Sequence, residues 1–352
     1  AVLFENCLFY TLPTALLLCA AALALHRFGE SRRVRDAALY ASLLAALVLT
    51  RSLFHLAWMG LALGLALWLV PARRAAFAGF ALPLLLCLAL HVKNLAVFGF
   101  FGTSSWLGMN LARVVTPSLP DDEVRTLVRE GRLSRFALLA PFEDLSTYRR
   151  LSELEPSPPS GIPALDQEMR STGVNNFNHR AYLEVTRRYS EDVKRVVKLR
   201  PGAPLVGWSH ALFYFLLPAA QSRILNPNLD RIRRADRLFD VVLYGQFREA
   251  AEPPRDKPVP AILFIRETGL WILAAYALAL GGGAALLWRR LRARDRGPFT
   301  LAWGFLWLTV AYVTAAGILL EVGENNRFRL DADPLALVMV ATLVPGWRRR
   351  AE

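Results

Sequence analysis

Arginine, histidine and lysine recur at the ends of long apolar runs in this 352-residue chain. Arg51 and His55 interrupt one run, His91 and Lys93 close the next, Arg266 and Glu267 open another, and Glu324, Arg327 and Arg329 stand between the last two. Converging guanidinium and ammonium groups are what a phosphate ester demands. Arginine presents paired N–H donors to phosphoryl oxygens, and a partly dry site strengthens the attraction. Snorkelling toward lipid headgroups is the competing use of any single one of them, Lys93 in particular. Taken together, Arg51, His55, Lys93, Arg327 and Arg329 form the candidate phosphate-binding set.

Three neighbouring strings carry the polar groups that would read the rest of a ligand. Gly323-Glu324-Asn325-Asn326-Arg327-Phe328-Arg329 has more polar and charged side chains than a turn needs, so Glu324 and Asn326 are candidate ligand contacts. Phe98 to Arg113 leaves an apolar run with several glycines and with Ser104, Ser105, Trp106 and Asn110, whose hydroxyl, indole and amide groups suit a sugar or headgroup. Helix capping and an aromatic belt at Trp106 are the plainer use of the same residues. Asn175, Asn176 and His179 form a third polar group suited to carbohydrate, with helix capping again the alternative. No single general base is marked out: Asp121, Asp122, Glu143, Asp144 and Glu324 all read equally well as solvated carboxylates. Ser-His-Asp, HExxH, P-loop and GxGxxG arrangements are absent from the sequence, and no metal-ligand pattern is visible. Cys7, Cys19 and Cys87 all lie in or beside apolar runs and read as small hydrophobes.

The elements that must position these groups are membrane helices. Hydrophobic residues make up 54% of the chain and mean hydropathy is +0.31, with the apolar residues gathered in blocks near 8–25, 37–70, 76–92, 268–288, 299–320 and 333–347. Crossing about 30 Å of hydrocarbon takes about 20 residues of helix. The 37–70 block is too long for one span and divides at Thr50-Arg51-Ser52 and His55 into a hairpin, which brings the expected count to seven. The formal charge of +13 would point to nucleic acid in a soluble protein, but the arginines bracket the apolar blocks and form no stripe. The positive-inside rule accounts for them. Fourteen arginines fall on one side, at 27, 32, 33, 35, 73, 74, 289, 290, 292, 294, 296 and 348–350, against three at 51, 327 and 329 on the other.

That asymmetry predicts an all-α polytopic protein of the plasma (inner) membrane, its N-terminal end outside and its C-terminal end cytoplasmic. Residues 1–102 would hold four spans with an outward hairpin tip near 50–55, residues 103–260 a mostly helical extracytoplasmic segment, and residues 261–352 three more spans. Within the middle segment, Glu155 to Pro163 reads as a rigid linker, 179–199 as an amphipathic helix ended by Pro201-Gly202, and Leu205–Leu217 as a buried or interfacial helix too short to span. Leu229 to Val242 reads as a second amphipathic helix whose arginines suit a membrane surface. No internal repeat is visible.

The string Glu324-Asn-Asn-Arg-Phe-Arg-Leu-Asp-Ala-Asp-Pro334, entering a final apolar helix, resembles the end of GT-C membrane glycosyltransferases related to the dolichyl-phosphate-mannose protein mannosyltransferases. Arg51 within Leu-Thr-Arg-Ser-Leu-Phe-His resembles the basic outer turn that those enzymes place near the lipid phosphate. The resemblance implies transfer of a sugar from a polyprenyl-phosphate donor to a glycan, lipid or protein acceptor on the outer face, with no cofactor beyond the donor and divalent-metal dependence left open. It departs at the front: members of that family start in the cytoplasm and carry a catalytic Asp or Glu in the first external loop. Here that loop, and with it the base, would lie upstream of residue 1. A non-enzymatic lipid-linked-glycan transporter or a membrane scaffold is the alternative. A charged path through the membrane or repeat symmetry would favour transport, and neither is read from the sequence.

Overall fold

The computed structural model describes residues 11–151, 154, 159–218, 226–248 and 251–344, with the side chains of 226–232 excepted. Cys7, the Glu155–Pro158 part of the expected linker and Arg348–Arg350 lie outside the described residues. Among the described residues the protein is helical throughout, an isolated bridge between Met169 and Asn175 being the extended pairing present.

The apolar runs form seven helices: α1 (Thr11–Ser31), α2 (Val34–Thr50), α3 (Leu56–Leu69), α4 (Arg73–Phe98), then α12 (Leu270–Arg292), α13 (Pro298–Leu320) and α14 (Asn325–Leu343) after the middle segment. Four of them, α1, α4, α12 and α13, are long and apolar enough to cross a membrane, and α3 is a shorter apolar helix. Leu16, Leu23, Phe77, Leu82 and Trp271 on these helices are each more than half exposed. Each such side chain would forfeit roughly 1.5–3 kcal/mol in water and nothing in lipid, so the exposed apolar surface is compatible with a membrane environment.

Several helices run past the apolar blocks into their polar flanks, because a helix satisfies its own backbone hydrogen bonds until a capping geometry stops it. Gly99 at φ 77° ends α4 in this way. The α2–α3 connection spans only residues 51–55, and His55 caps α3 by accepting from the Ala57 amide at 3.2 Å. Tight approaches set the bundle: a Cβ on Gly79 of α4 would come 2.6 Å from the Ala37 Cβ of α2. Within α12 the ladder widens to a π-turn at Leu278–Gly282, beside which Gly283 lies against Met339 of α14.

The largest departure from the sequence reading is at the last helix. The string read as an external turn leading to a span at 333–347 is itself helical, and α14 begins at Asn325. Its arginines pair within the string, Arg327 with Glu324 and Arg329 with Asp333, and Asp331 pairs with Arg51 of the α2–α3 connection, so the polar turns pack inside rather than looping out.

The middle segment has its own core. α5 (Leu107–Val115), α6 (Asp121–Arg129), α7 (Leu145–Leu151) and α8 (Ala181–Leu199) enclose Met109, Val124, Leu127, Phe136, Tyr148, Tyr182, Val185 and Tyr189. The expected three-to-four spacing along 179–199 is the buried face of α8. α5 lies so close to it that a Cβ on Gly108 would sit 2.1 Å from the Thr186 carbonyl oxygen. α9 (Ala203–Leu216) is the short apolar helix at 205–217; it buries Phe213, Phe215 and Leu216 and packs between the segment and α13 and α14. α10 (Asn226–Phe239) continues as a π-turn to Tyr244, and α11 (Ala261–Glu267) leads back to α12.

Candidate functional site

The two halves meet at a rim held by polar contacts, and α14 supplies most of them. Arg329 is fully buried; its Nε lies 3.2 Å from Asp333 Oδ1, one helical turn on, and its Nη1 donates to the carbonyls of Phe215 at 2.5 Å and Leu217 at 2.8 Å. Tyr276 of α12 donates to the same Asp333 oxygen at 2.9 Å. Arg329 therefore clamps the C-terminal end of α9 onto the bundle. Asn326 adds a bond from Nδ2 to Pro218 O at 2.8 Å, and Trp208 of α9 donates to Leu319 O at 3.3 Å.

Two residues on from Arg329, Asp331 pairs with Arg51 of the α2–α3 connection and accepts from Thr14 Oγ1 of α1 at 2.8 Å. The Arg51 guanidinium also stacks 4.6 Å from the Phe328 ring centroid. Arg327 Nη2 pairs with Glu324 Oε2 at 2.5 Å, and Arg113 Nη1 of α5 reaches Glu321 Oε1 at 3.1 Å. The rim arginines thus stand as ion pairs, each with a carboxylate close by.

Above this rim opens a cavity of about 1770 Å³, walled by the α2–α3 connection, residues 101–107, α5, the start of α6, residues 137–142 and the α13–α14 connection. Its charged lining comprises Arg51, Arg113, Arg125, Arg170, Arg255 and Arg327 against Asp121, Asp256, Glu321 and Glu324, a formal surplus of two positive charges. That volume exceeds the several hundred Å³ of an ordinary small-molecule pocket and has room for a headgroup together with a second substrate.

Among the perturbed ionisable groups on the lining are a carboxylate and an imidazole. Burial drives the Glu321 carboxyl up to about 7, against the pull of Arg113 and Arg327 and with the help of neighbouring Glu324. Burial also lowers the His55 imidazole; the Phe101 carbonyl 3.4 Å from its Nε2 opposes this, and His91, whose ring lies edge-on at 5.1 Å, reinforces it.

Of the residues singled out in the sequence, Arg51, His55, Arg327, Ser104, Trp106, Asn110, Asn175, Glu324 and Asn326 line this cavity, brought together from four separate stretches of chain. Lys93, Arg329, Ser105, Asn176 and His179 are not on its wall. Lys93 is exposed with its ammonium 5.7 Å from the Phe98 ring. Asn176 is buried and spends its amide on the carbonyls of Ala164 and Gln167, and His179 caps α8 by accepting from the Ala181 amide at 3.1 Å. Among the carboxylates weighed as bases, Asp144 caps α7 through the Thr147 amide at 2.7 Å, while Asp121 and Glu324 reach the wall.

Arg113, Arg125, Arg255 and Glu321 line the cavity without having been picked out. Arg113 ends one polar string that the sequence had marked and Glu321 lies two residues before another, so the signal was adjacent to them. Among the described residues no group of three or more His, Cys, Asp or Glu side chains is placed to hold a metal ion. No family model, curated protein or solved structure matches the chain.

Proposed function

We propose that this protein is a membrane glycosyltransferase that moves a sugar from a polyprenyl-phosphate donor to an acceptor at the outer face of the membrane. In this reading all seven helices cross the plasma membrane and residues 103–260 lie outside. The observation that carries it is the composition of the cavity: arginines from the bundle rim stand opposite Ser104, Trp106, Asn110 and Asn175 of the middle segment around one space. A phosphodiester would be held at Arg51 and Arg327, and a sugar would meet hydroxyl, indole and amide groups across from them. The lipid tail would leave along the apolar belt. The charges of α14 support transfer over transport, because Arg329 is locked by Asp333 and two backbone carbonyls rather than strung along a path.

The test is transfer by the purified protein in liposomes, given radiolabelled polyprenyl-phosphate hexoses and pentoses in turn with a mixed pool of hydroxyl acceptors. Release of polyprenyl phosphate and labelled product from at least one donor is expected, with Arg327→Ala reducing it tenfold or more. No turnover and no saturable binding of any donor would overturn the proposal. Reporter fusions after residues 30, 150 and 293 check the topology, only the one at 150 being expected to report outside.

A further inference from the structure

The cavity lining holds four carboxylates, and one differs from the rest in kind. Asp121 and Asp256 are exposed, and Glu324 is half-buried and paired with Arg327 on its own helix. Glu321 is only 5% exposed, yet it borders the cavity at the point where α13 ends. Its backbone is extended at φ −147°, which turns the chain out of the helix, and its carbonyl is held by Asn325 Nδ2 at 2.7 Å. The carboxylate is therefore fixed on a short, tethered segment rather than on a mobile loop.

Its partner comes from the other half of the molecule. Arg113 of α5 lies 3.1 Å from Glu321 Oε1 and is seated where Gly323, at φ +112°, leaves room: a Cβ there would come 2.5 Å from Arg113 Nη2. The backbone angle is one that favours glycine.

We propose that Glu321 is the general base that takes the proton of the acceptor hydroxyl, with Arg113 as its positioning residue, an assignment that rests on the transferase reading above and puts the base on this cavity wall in place of the upstream loop that the resemblance implies. The acceptor oxygen bonds to the anomeric carbon while the bond from that carbon to the phosphate oxygen breaks. The electron pair leaves on the polyprenyl phosphate, beside Arg51 and Arg327, and the hydroxyl proton passes to the Glu321 carboxylate. Water then takes the proton from Glu321 and resets it.

The group is poised for this work because its pKa of about 7 lies near neutrality, where a base is both ionised and basic enough to accept a proton. Arg113 from α5, and Glu324 and Arg327 from the start of α14, are the charged groups acting on it. The neighbouring α9 contributes Trp208, bonded to Leu319 O, and His210, whose Nε2 lies 2.9 Å from Lys257 O.

The experiment is the liposome transfer assay with whichever polyprenyl-phosphate sugar the wild type turns over, run from pH 5 to 9 on wild type, Glu321→Gln, Glu321→Asp and Arg113→Ala. Glu321→Gln is expected to lose 10²- to 10⁴-fold in kcat while binding the same donor within threefold. Wild-type kcat/KM should fall below an acid limb near neutrality. Arg113→Ala should move that limb to higher pH, since removing the cation makes Glu321 easier to protonate, and Glu321→Asp should restore part of the rate. A structural ion pair would leave the limb where it is. Wild-type rate in Glu321→Gln, or an acid limb unmoved by Arg113→Ala, would overturn this assignment and leave the transferase standing. Failure of the wild type to turn over any donor would remove both.

Discussion

The Arg51–Asp331 pair offers the sharpest test of how the rim is built. The two side chains are 2% and 0% exposed, so neither charge has water to fall back on. Replacing Asp331 with Asn leaves the Thr14 donor a carbonyl oxygen to meet but turns an amide N–H₂ or a neutral oxygen toward a buried guanidinium. Breaking one side of such a pair destabilises by about 3–5 kcal/mol, because the surviving charge stays buried without compensation. Replacing both residues by apolar ones of similar size, as Arg51→Met with Asp331→Leu, removes the desolvation penalty along with the attraction and should return to within about 1–2 kcal/mol of wild type. Equilibrium unfolding in detergent micelles, followed by tryptophan fluorescence over the full double-mutant cycle, measures the coupling. A coupling energy of about 4 kcal/mol or more is expected from these figures, and additive single effects within about 0.5 kcal/mol would refute the pairing. The double variant also tests the proposed function apart from the fold, since it should fold well and, if Arg51 holds the donor phosphate as proposed, lose donor binding.

Two further outcomes follow from the same geometry. The Glu321 carboxyl is raised in the folded protein to about 7 from an ordinary 4.5, so it binds its proton more tightly when folded. Its contribution to stability is therefore full below about pH 4.5 and lost as pH rises through about 7. Glu321→Gln should gain on wild type by up to about 3 kcal/mol between pH 4.5 and 8, read by denaturant unfolding across that range. An unchanging difference would refute the buried placement. Gly108→Val would force a side chain against the Thr186 carbonyl, 2.1 Å from where its Cβ must sit, and should destabilise the middle segment by about 1–3 kcal/mol or more while separating α5 from α8. Limited proteolysis within residues 103–150 should accelerate, and unchanged protection would count against the close approach.

The apolar helices were legible in the sequence because each signal is local: a hydrophobic run, an arginine-rich end, a polar break at 51–55. The core face of α8 was legible for the same reason, since its period lies within one helix. What the sequence could not reveal was which carboxylates sit beside the arginines. Arg51 and Asp331 are 280 positions apart, and Arg113 and Glu321 meet only because α5 docks on the end of α13. Even Arg329 and Asp333, four apart and paired on one turn, were hidden by reading their string as a loop, where the helical period does not apply. Local capping gives a similar polar pattern, for Asn176 and His179 tie nearby backbone and lie off the cavity wall.

The pairing changes what the rim arginines can do. A row of uncompensated cations would bind any anion and would repel itself. An arginine whose guanidinium is fixed by a carboxylate has already lost its rotamer freedom, and a guanidinium carries five N–H groups where one carboxylate accepts at most two in a bidentate pair. Such an arginine meets a phosphate without a further ordering penalty and at reduced net charge, which favours a singly charged phosphodiester less strongly than a bare cation would but also holds the doubly charged leaving group less tightly. If the proposed transfer holds, polyprenyl phosphate must be released after each turnover, and a modest surplus of two positive charges across the cavity would suit that, because a site that stabilised the product anion fully would be inhibited by it.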